Sequence, residues 1–180
     1  MKLKYPSLSL IAITFSLALL SGVSTAKPKG EKGSKVSLPK ELLDATGKVV
    51  SGETLSGKYV GIYFSASWCP PCRTFTPKLV DFHKANKEKF EVLLVSADNS
   101  EKAQANYMKK YMMPWLAVKH QSIAANLLVK KMGVSGIPFL VILAPDGSVV
   151  TKDGRGDVDS MGSKALLKWT SAQDEKLGRK

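Results

Sequence analysis

From Val36 onward, short apolar runs alternate with amphipathic stretches. Runs rich in aromatic and β-branched residues predict three buried strands, at residues 59–64, 90–95 and 139–143. Lys48-Val49-Val50 follows an Ala-Thr-Gly turn and is typical of a small hairpin. A Pro-Asp-Gly turn precedes Val149-Val150, where a further strand is expected to begin.

Apolar residues at helical spacing predict four helices. They begin after Pro70-Pro71, at the N-cap residue Ser100, near Ile123 and at Lys164. The expected apolar faces carry Phe75, Leu79 and Phe82; Ala103, Tyr107 and Tyr111; and Ile123, Leu127 and Leu128. Helical crossovers connect the early strands, whereas the strand at 139–143 and the one at Val149-Val150 form a hairpin. This order predicts one α/β domain over residues 36–180 with a mixed central sheet.

The first 35 residues have a different character. Lys2 and Lys4 precede an apolar run from Leu8 to Leu20, and small residues lead to Ala26. This layout predicts a signal peptide over residues 1–26 and a periplasmic or secreted protein with no membrane span after cleavage. An uncleaved anchor is the alternative, although a spanning helix needs roughly 20 apolar residues. Residues 27–35 are expected to form a flexible basic leader.

Composition excludes several classes of protein. The chain has 180 residues, a formal net charge of +12, 2 Cys and 2 His. So few cysteines rule out a dense disulfide scaffold, and His83 and His120 are too far apart for a zinc finger, so we expect no metal. The lysines are scattered and form no stripe interleaved with aromatic residues, so nucleic acid is not an expected partner.

Both cysteines lie in the motif Trp68-Cys69-Pro70-Pro71-Cys72-Arg73, between a predicted strand and a predicted helix. A thiolate on Cys69 would face the unpaired amides and positive dipole of a helix N-terminus, which favours the anion. Cys72 lies about one helical turn away, so the two sulfurs can bond. A structural disulfide is a weaker interpretation, because so short a loop restricts the unfolded chain by only about 2 kcal/mol. Two inert buried thiols or a pair of metal ligands would also fit the spacing.

These placements predict roles for six residues. Cys69 is the candidate nucleophile and Cys72 the residue that resolves the mixed disulfide. Pro70 and Pro71 stiffen the turn between them. Trp68 shields the pair and offers an apolar contact, unless it is simply packed in the core. Pro138, at the start of a strand, suggests a cis Ile137-Pro138 bond beside the cysteines, with an ordinary trans turn as the alternative.

The chain resembles the thioredoxin superfamily over about residues 40–160, and within it the tryparedoxins and nucleoredoxins. The stretches that carry the resemblance are residues 63–73, 75–77, 95–98 and 113–117. The resemblance implies a three-layer α/β/α sandwich and a dithiol–disulfide exchange protein. It also implies Cys69 as nucleophile, Cys72 as resolving thiol, Pro138 as cis-proline and Pro77 as the proline that kinks the active-site helix.

The sequence departs from the superfamily at one functional position. Many thioredoxins carry a buried acid six residues before the first cysteine, as proton acceptor for the second, and here Tyr63 stands there. Proton transfer to and from Cys72 must then use water or another group. Asp98 is a candidate, and a capping or surface role is its alternative.

The leading hypothesis is a protein-disulfide oxidoreductase that acts as a reductant. It needs no cofactor beyond a redox-active Cys69–Cys72 disulfide. Its expected partners are protein disulfides and an unidentified electron donor, and the expected state is a monomer. A binding module of the same fold for an acidic partner and a haem-maturation thiol reductase are the alternatives. A copper chaperone is disfavoured, because neither histidine lies near the cysteine motif.

Overall fold

The computed structural model describes residues 35–178, in which strands and helices alternate. The strands are β1 (Glu41–Leu43), β2 (Val49–Ser51), β3 (Tyr59–Ser65), β4 (Phe90–Ser96), β5 (Leu116–Ala117), β6 (Phe139–Leu143) and β7 (Val149–Thr151). The helices are α1 (Pro70–Asn86), α2 (Glu101–Lys110), α3 (Ile123–Met132), α4 (Gly154–Met161) and α5 (Ala165–Lys176). The chain also forms two short 3-10 helices, Gly52–Leu55 and Gly162–Lys164.

The strands form one mixed sheet in the order β2-β1-β5-β4-β3-β6-β7. At its centre β3, β4 and β5 are parallel, whereas β6 runs antiparallel to β3. The carboxyl ends of the three parallel strands therefore lie at the same edge of the sheet. Ser65, the last residue of β3, pairs with Ser96, the last residue of β4.

Alternating residues of the central strands face two separate apolar cores. Tyr63 points to one core, which it shares with residues of α1, α2, α4 and α5. Ile62 and Phe64 point to the other, which is closed by α3 and by Val36 and Leu55. The sheet is thus covered on both faces, and the predicted α/β sandwich with a mixed central sheet is confirmed.

The structure also contains elements that the hydrophobic pattern does not predict. Strand β5 has only two residues, and α4 contains two glycines that argue against a helix. On α3, Leu128 is buried as expected, but Ile123 and Leu127 are 80% and 60% exposed. The buried face is formed by Ala125, Leu128 and Met132, which are three and four residues apart, so Ile123 and Leu127 lie off this face.

The predicted signal peptide and nearly all of the predicted leader lie outside the described residues. Within residues 35–178, no helix is both long enough and apolar enough to cross a membrane.

Candidate active site

The two cysteines lie where β3 leads into α1. Cys69 is the N-cap of α1, and its Sγ accepts a hydrogen bond from the Cys72 amide at 3.2 Å. Pro70 and Pro71 occupy the first helical positions, where a missing N–H costs nothing and a fixed φ favours the helix. The cysteines form a disulfide with a Cα–Cα separation of 5.2 Å. The pair therefore sits at the positive end of a 17-residue helix.

The loop before β6 lies against the disulfide. The Ile137-Pro138 peptide bond is cis, and Pro138 is buried. Cys69 Sγ is 3.7 Å from the Ile137 carbonyl oxygen, and the Ile137 side chain packs against the buried cluster of Ala66, Cys69 and Cys72. The structure thus brings Pro138 and the cysteines together, as the sequence suggested.

Trp68 lies at the surface beside the disulfide. Its side chain is 55% exposed, so the alternative of core packing is wrong for this residue. The indole Nε1–H donates to the Ala97 carbonyl at 3.0 Å, which fixes the ring against the loop after β4. Arg73 is exposed and donates to the Ser67 carbonyl at 3.4 Å. An exposed indole next to a disulfide offers an apolar contact to an incoming polypeptide.

A group of buried hydroxyls lies beneath the first turn of α1. Thr76 Oγ1 donates to the Cys72 carbonyl at 2.8 Å and is also within hydrogen-bond distance of Tyr63 (2.9 Å) and Tyr107 (2.7 Å). Ser65 bonds Tyr107 at 2.9 Å. Burial, and secondarily the neighbouring Tyr107, raises the pKa of Tyr63 far above its usual range. Tyr63 therefore stays a neutral phenol that cannot serve as a base for Cys72.

Asp98 follows β4 and is 3% exposed. Its Oδ1 accepts hydrogen bonds from the Ser67 amide (2.8 Å) and hydroxyl (2.6 Å), and its Oδ2 accepts from Ser96 Oγ (2.7 Å). The carboxylate is thus engaged by two serines. Within residues 35–178, the Asp98 carboxylate forms no hydrogen bond with Cys69 or Cys72.

Sequence reasoning missed Thr76, Ser65 and the hydroxyl of Tyr107 as parts of this site. Ser65 and Tyr107 are 42 residues apart, and only the packing of α2 on the sheet brings them together. The sequence correctly places Tyr107 on a helix face, but its apolar spacing gives no sign of a polar contact. Within the described part of the chain, no group of three or more His, Cys, Asp or Glu residues could hold a metal ion.

The comparisons with known proteins agree with this geometry. A profile of a thioredoxin-like family matches residues 57–149. Cattle nucleoredoxin is 41% identical over 135 residues, which cover 73% of this chain and 31% of that protein. Xenopus laevis nucleoredoxin is 50% identical over 109 residues, covering 58% of this chain and 26% of that protein. The chain thus spans about a third or less of the length of these two relatives.

Solved structures show the same fold. Native tryparedoxin I from Crithidia fasciculata superposes with a TM-score of 0.63 at 42% sequence identity. The match covers 69% of this chain and 87% of that one. The likeness therefore extends over most of a tryparedoxin, whereas it covers only part of a nucleoredoxin.

The predicted periplasmic or secreted location is wrong. The nucleoredoxin relatives, at 40–50% identity, are generally cytoplasmic or nuclear. The prediction rested on the N-terminal residues alone, and a hydrophobic run there does not by itself identify a compartment.

Three observations now coincide: a disulfide at the N-terminus of a helix that follows a central strand, a cis-proline loop against it, and similarity at 38–42% identity to tryparedoxins over most of their length. The chain belongs to the thioredoxin-like family.

Proposed function

We propose that this protein reduces disulfides in other proteins through its Cys69–Cys72 pair. The observation that carries the proposal is the position of Cys69 at the N-cap of α1, where its sulfur accepts the Cys72 amide. In the reduced protein the same amide and the helix dipole stabilise a Cys69 thiolate. A stabilised thiolate is the reactive form in disulfide exchange.

The reaction proceeds in two displacements. The Cys69 thiolate attacks one sulfur of a substrate disulfide, forms a mixed disulfide and releases the other sulfur as a thiolate. The Cys72 thiolate then attacks Cys69 Sγ, so that the second substrate sulfur leaves and the Cys69–Cys72 disulfide forms. Two electrons pass to the substrate, and its two thiolates take up protons. A dithiol donor must then reduce the pair to complete a cycle.

The order of attack follows from the surroundings of the two sulfurs. Cys69 is 3% exposed, directly after the exposed Trp68, whereas Cys72 is 0% exposed and lies inside the first turn of α1. An incoming disulfide therefore meets Cys69 first. Protein disulfides as substrates, a dithiol electron donor, a monomeric state and the absence of any cofactor are parts of the same proposal.

The direct test is to trap the intermediate. In C72S the second displacement cannot occur, so mixed disulfides through Cys69 accumulate with substrate proteins and survive non-reducing electrophoresis. The matched variant C69S lacks the nucleophile and should trap none. Equal trapping by both variants, or by neither, would contradict the assigned roles.

We also propose that residues 1–26, predicted as a signal peptide from Lys2, Lys4 and the apolar run up to Leu20, are cleaved from the chain; the proposal concerns processing and not the final compartment. N-terminal sequencing of the full chain expressed in its own cell type tests this. A first residue of Lys27 supports cleavage, and retention of Lys2 and Lys4 contradicts it.

A further inference from the structure

Asp98 lies where the carboxyl ends of the three parallel strands meet. It follows β4, while Ser67 follows β3 and His120 follows β5. A charged side chain that is 3% exposed is costly to bury unless donors surround it. Three donors from two serines meet this requirement, and hydrogen bonds to a carboxylate are among the stronger ones in proteins.

Residues 97–98 also hold Ser67 and Trp68, the two residues that precede the nucleophile Cys69. Both the amide and the hydroxyl of Ser67 bind Asp98 Oδ1. The Trp68 indole binds the carbonyl of Ala97, next to Asp98. On the other side, His120 Nε2 donates to the Asp98 carbonyl at 2.6 Å. Residues 97–98 therefore tie the turn that enters Cys69 to two neighbouring strand ends.

We propose that Asp98 is a positioning residue for disulfide exchange: its carboxylate fixes Ser67, and through it the orientation of Trp68 and Cys69 towards a substrate. The inference rests on the proposed function, since positioning matters only if Cys69 attacks. It replaces the proton-acceptor role considered for Asp98, because both carboxylate oxygens are already engaged by serine donors.

Two substitutions distinguish positioning from proton transfer. In D98N an amide oxygen remains where Oδ1 accepts both Ser67 bonds, so the turn is held although the charge is lost. In D98A both bonds are lost, and the Ser67 amide has no partner there. Positioning predicts that D98N rescues what D98A loses, whereas a proton acceptor would be lost equally in both variants.

The first measurement is the reduction of insulin with dithiothreitol as electron donor. We expect kcat/KM of D98A to fall by about tenfold to 100-fold, since small misplacements of a reacting group have effects of this size. The kcat/KM of D98N should stay within about threefold of the wild-type value, which corresponds to a much smaller change in the activation free energy than in D98A. S67A, which loses the hydroxyl bond but keeps the amide bond, should fall between them.

A second measurement reports the positioning itself. In a ¹H–¹⁵N spectrum of the oxidised protein, the indole N–H of Trp68 should shift and exchange faster with solvent in D98A and, to a smaller degree, in S67A. The indoles of Trp115 and Trp169 should not change. If D98A is too unstable for kinetics, S67A still gives this readout, because S67A keeps Asp98 and loses only the hydroxyl bond to it.

The matched control is another buried aspartate remote from the cysteines along the chain. Asp157 is 5% exposed and accepts from the Trp169 indole at 2.7 Å and from Lys168 at 2.5 Å. D157A should lower thermal stability and shift the Trp169 indole, while leaving insulin reduction and the Trp68 indole unchanged.

The outcomes separate the possibilities. Loss of activity in D98N equal to that in D98A would overturn positioning in favour of proton transfer. An unchanged Trp68 indole in both D98A and S67A would also overturn it, as would equal losses of activity in D98A and D157A. If the wild type itself fails to reduce insulin, the proposed function fails, and the Trp68 resonance still reports whether Asp98 holds the turn.

Discussion

Two residues of the same helix show how position along α1 decides what a side chain can do. Cys69 is the N-cap, where unpaired amides favour an anion, and His83 lies in the last turn. His83 is 6% exposed, and its Nε2–H donates to Glu91 Oε1 on β4 at 2.6 Å. The disulfide therefore lies within the first turn of the helix, whereas the His83–Glu91 hydrogen bond ties its last turn to the sheet.

The Glu91 carboxylate predicts a pH dependence of stability. Partial burial raises its pKa, but the hydrogen bond and charge of His83, the Val92 amide and Lys58 outweigh burial, so the pKa lies below its ordinary value of 4.5. A carboxyl whose pKa is lower in the folded state stabilises the fold above its unfolded-state pKa. That contribution disappears as the pH falls through the folded-state pKa.

We therefore expect E91Q to lower the free energy of unfolding by about 1 kcal/mol at pH 7, because the amide oxygen of Gln still accepts from His83 but no longer carries the charge. The difference from the wild type should shrink in acid, where Glu91 is protonated in both states. Urea unfolding at neutral and acidic pH measures the difference in the free energy of unfolding. E88Q is the control, because Glu88 is close in sequence and exposed. A difference that is independent of pH would contradict the assignment.

At the scale of elements, α1 is held to the sheet and to α2 by hydroxyl groups as well as by apolar packing. Thr76 on α1 connects Tyr63 on β3 with Tyr107 on α2, and all three side chains are buried. A group that joins three elements fixes the helix that carries Cys69 and Cys72 in place.

Replacing the hydroxyl with a methyl group of similar size tests this connection. T76V removes the Thr76 bonds to Tyr63, Tyr107 and the Cys72 carbonyl, so we expect the free energy of unfolding to fall by about 1 to 3 kcal/mol, although Tyr63 keeps the Cys72 carbonyl and Tyr107 keeps Ser65 as partners. T74V is the matched control, because Thr74 lies on the same helix and also bonds a backbone carbonyl, at 3.3 Å, but is exposed. Chemical denaturation of the oxidised proteins compares them, and equal losses would show that the buried network contributes nothing specific.

At the scale of the whole molecule, the sequence is sufficient to predict the architecture but not all of its parts. The long strands β3, β4 and β6 and the helices α1 and α2 are indicated by apolar runs and by caps such as Ser100. Strand β5 is too short to leave a pattern, and its pairing with β4 depends on the tertiary fold. Helix α3 is predicted, and it ends at Gly133 with φ +69° as glycine allows. Of the apolar residues that marked it, only Leu128 is buried, because the face that meets the sheet runs through Ala125, Leu128 and Met132.

The candidate site divides in the same way. The local sequence predicts Cys69, Cys72 and Pro138 as site residues. The Cys-Pro-Pro-Cys motif lies at a strand–helix junction, and the Ile-Pro pair lies at a loop–strand junction. Ser67 lies 31 residues from its partner Asp98, and Tyr107 lies 31 residues from Thr76, so these pairs form only when the chain folds. Contacts of this kind carry no local periodicity, so the sequence indicates Asp98 but suggests a different role for it.

The measurement that tests the central claim most directly is the rate of insulin reduction by dithiothreitol with and without this protein. A reductase that works through Cys69 and Cys72 should accelerate the reaction catalytically, and C69S should return the rate to that of dithiothreitol alone. If the wild-type protein gives no acceleration, or if C69S accelerates the reaction equally, the Cys69–Cys72 pair is not the centre of a protein-disulfide reductase.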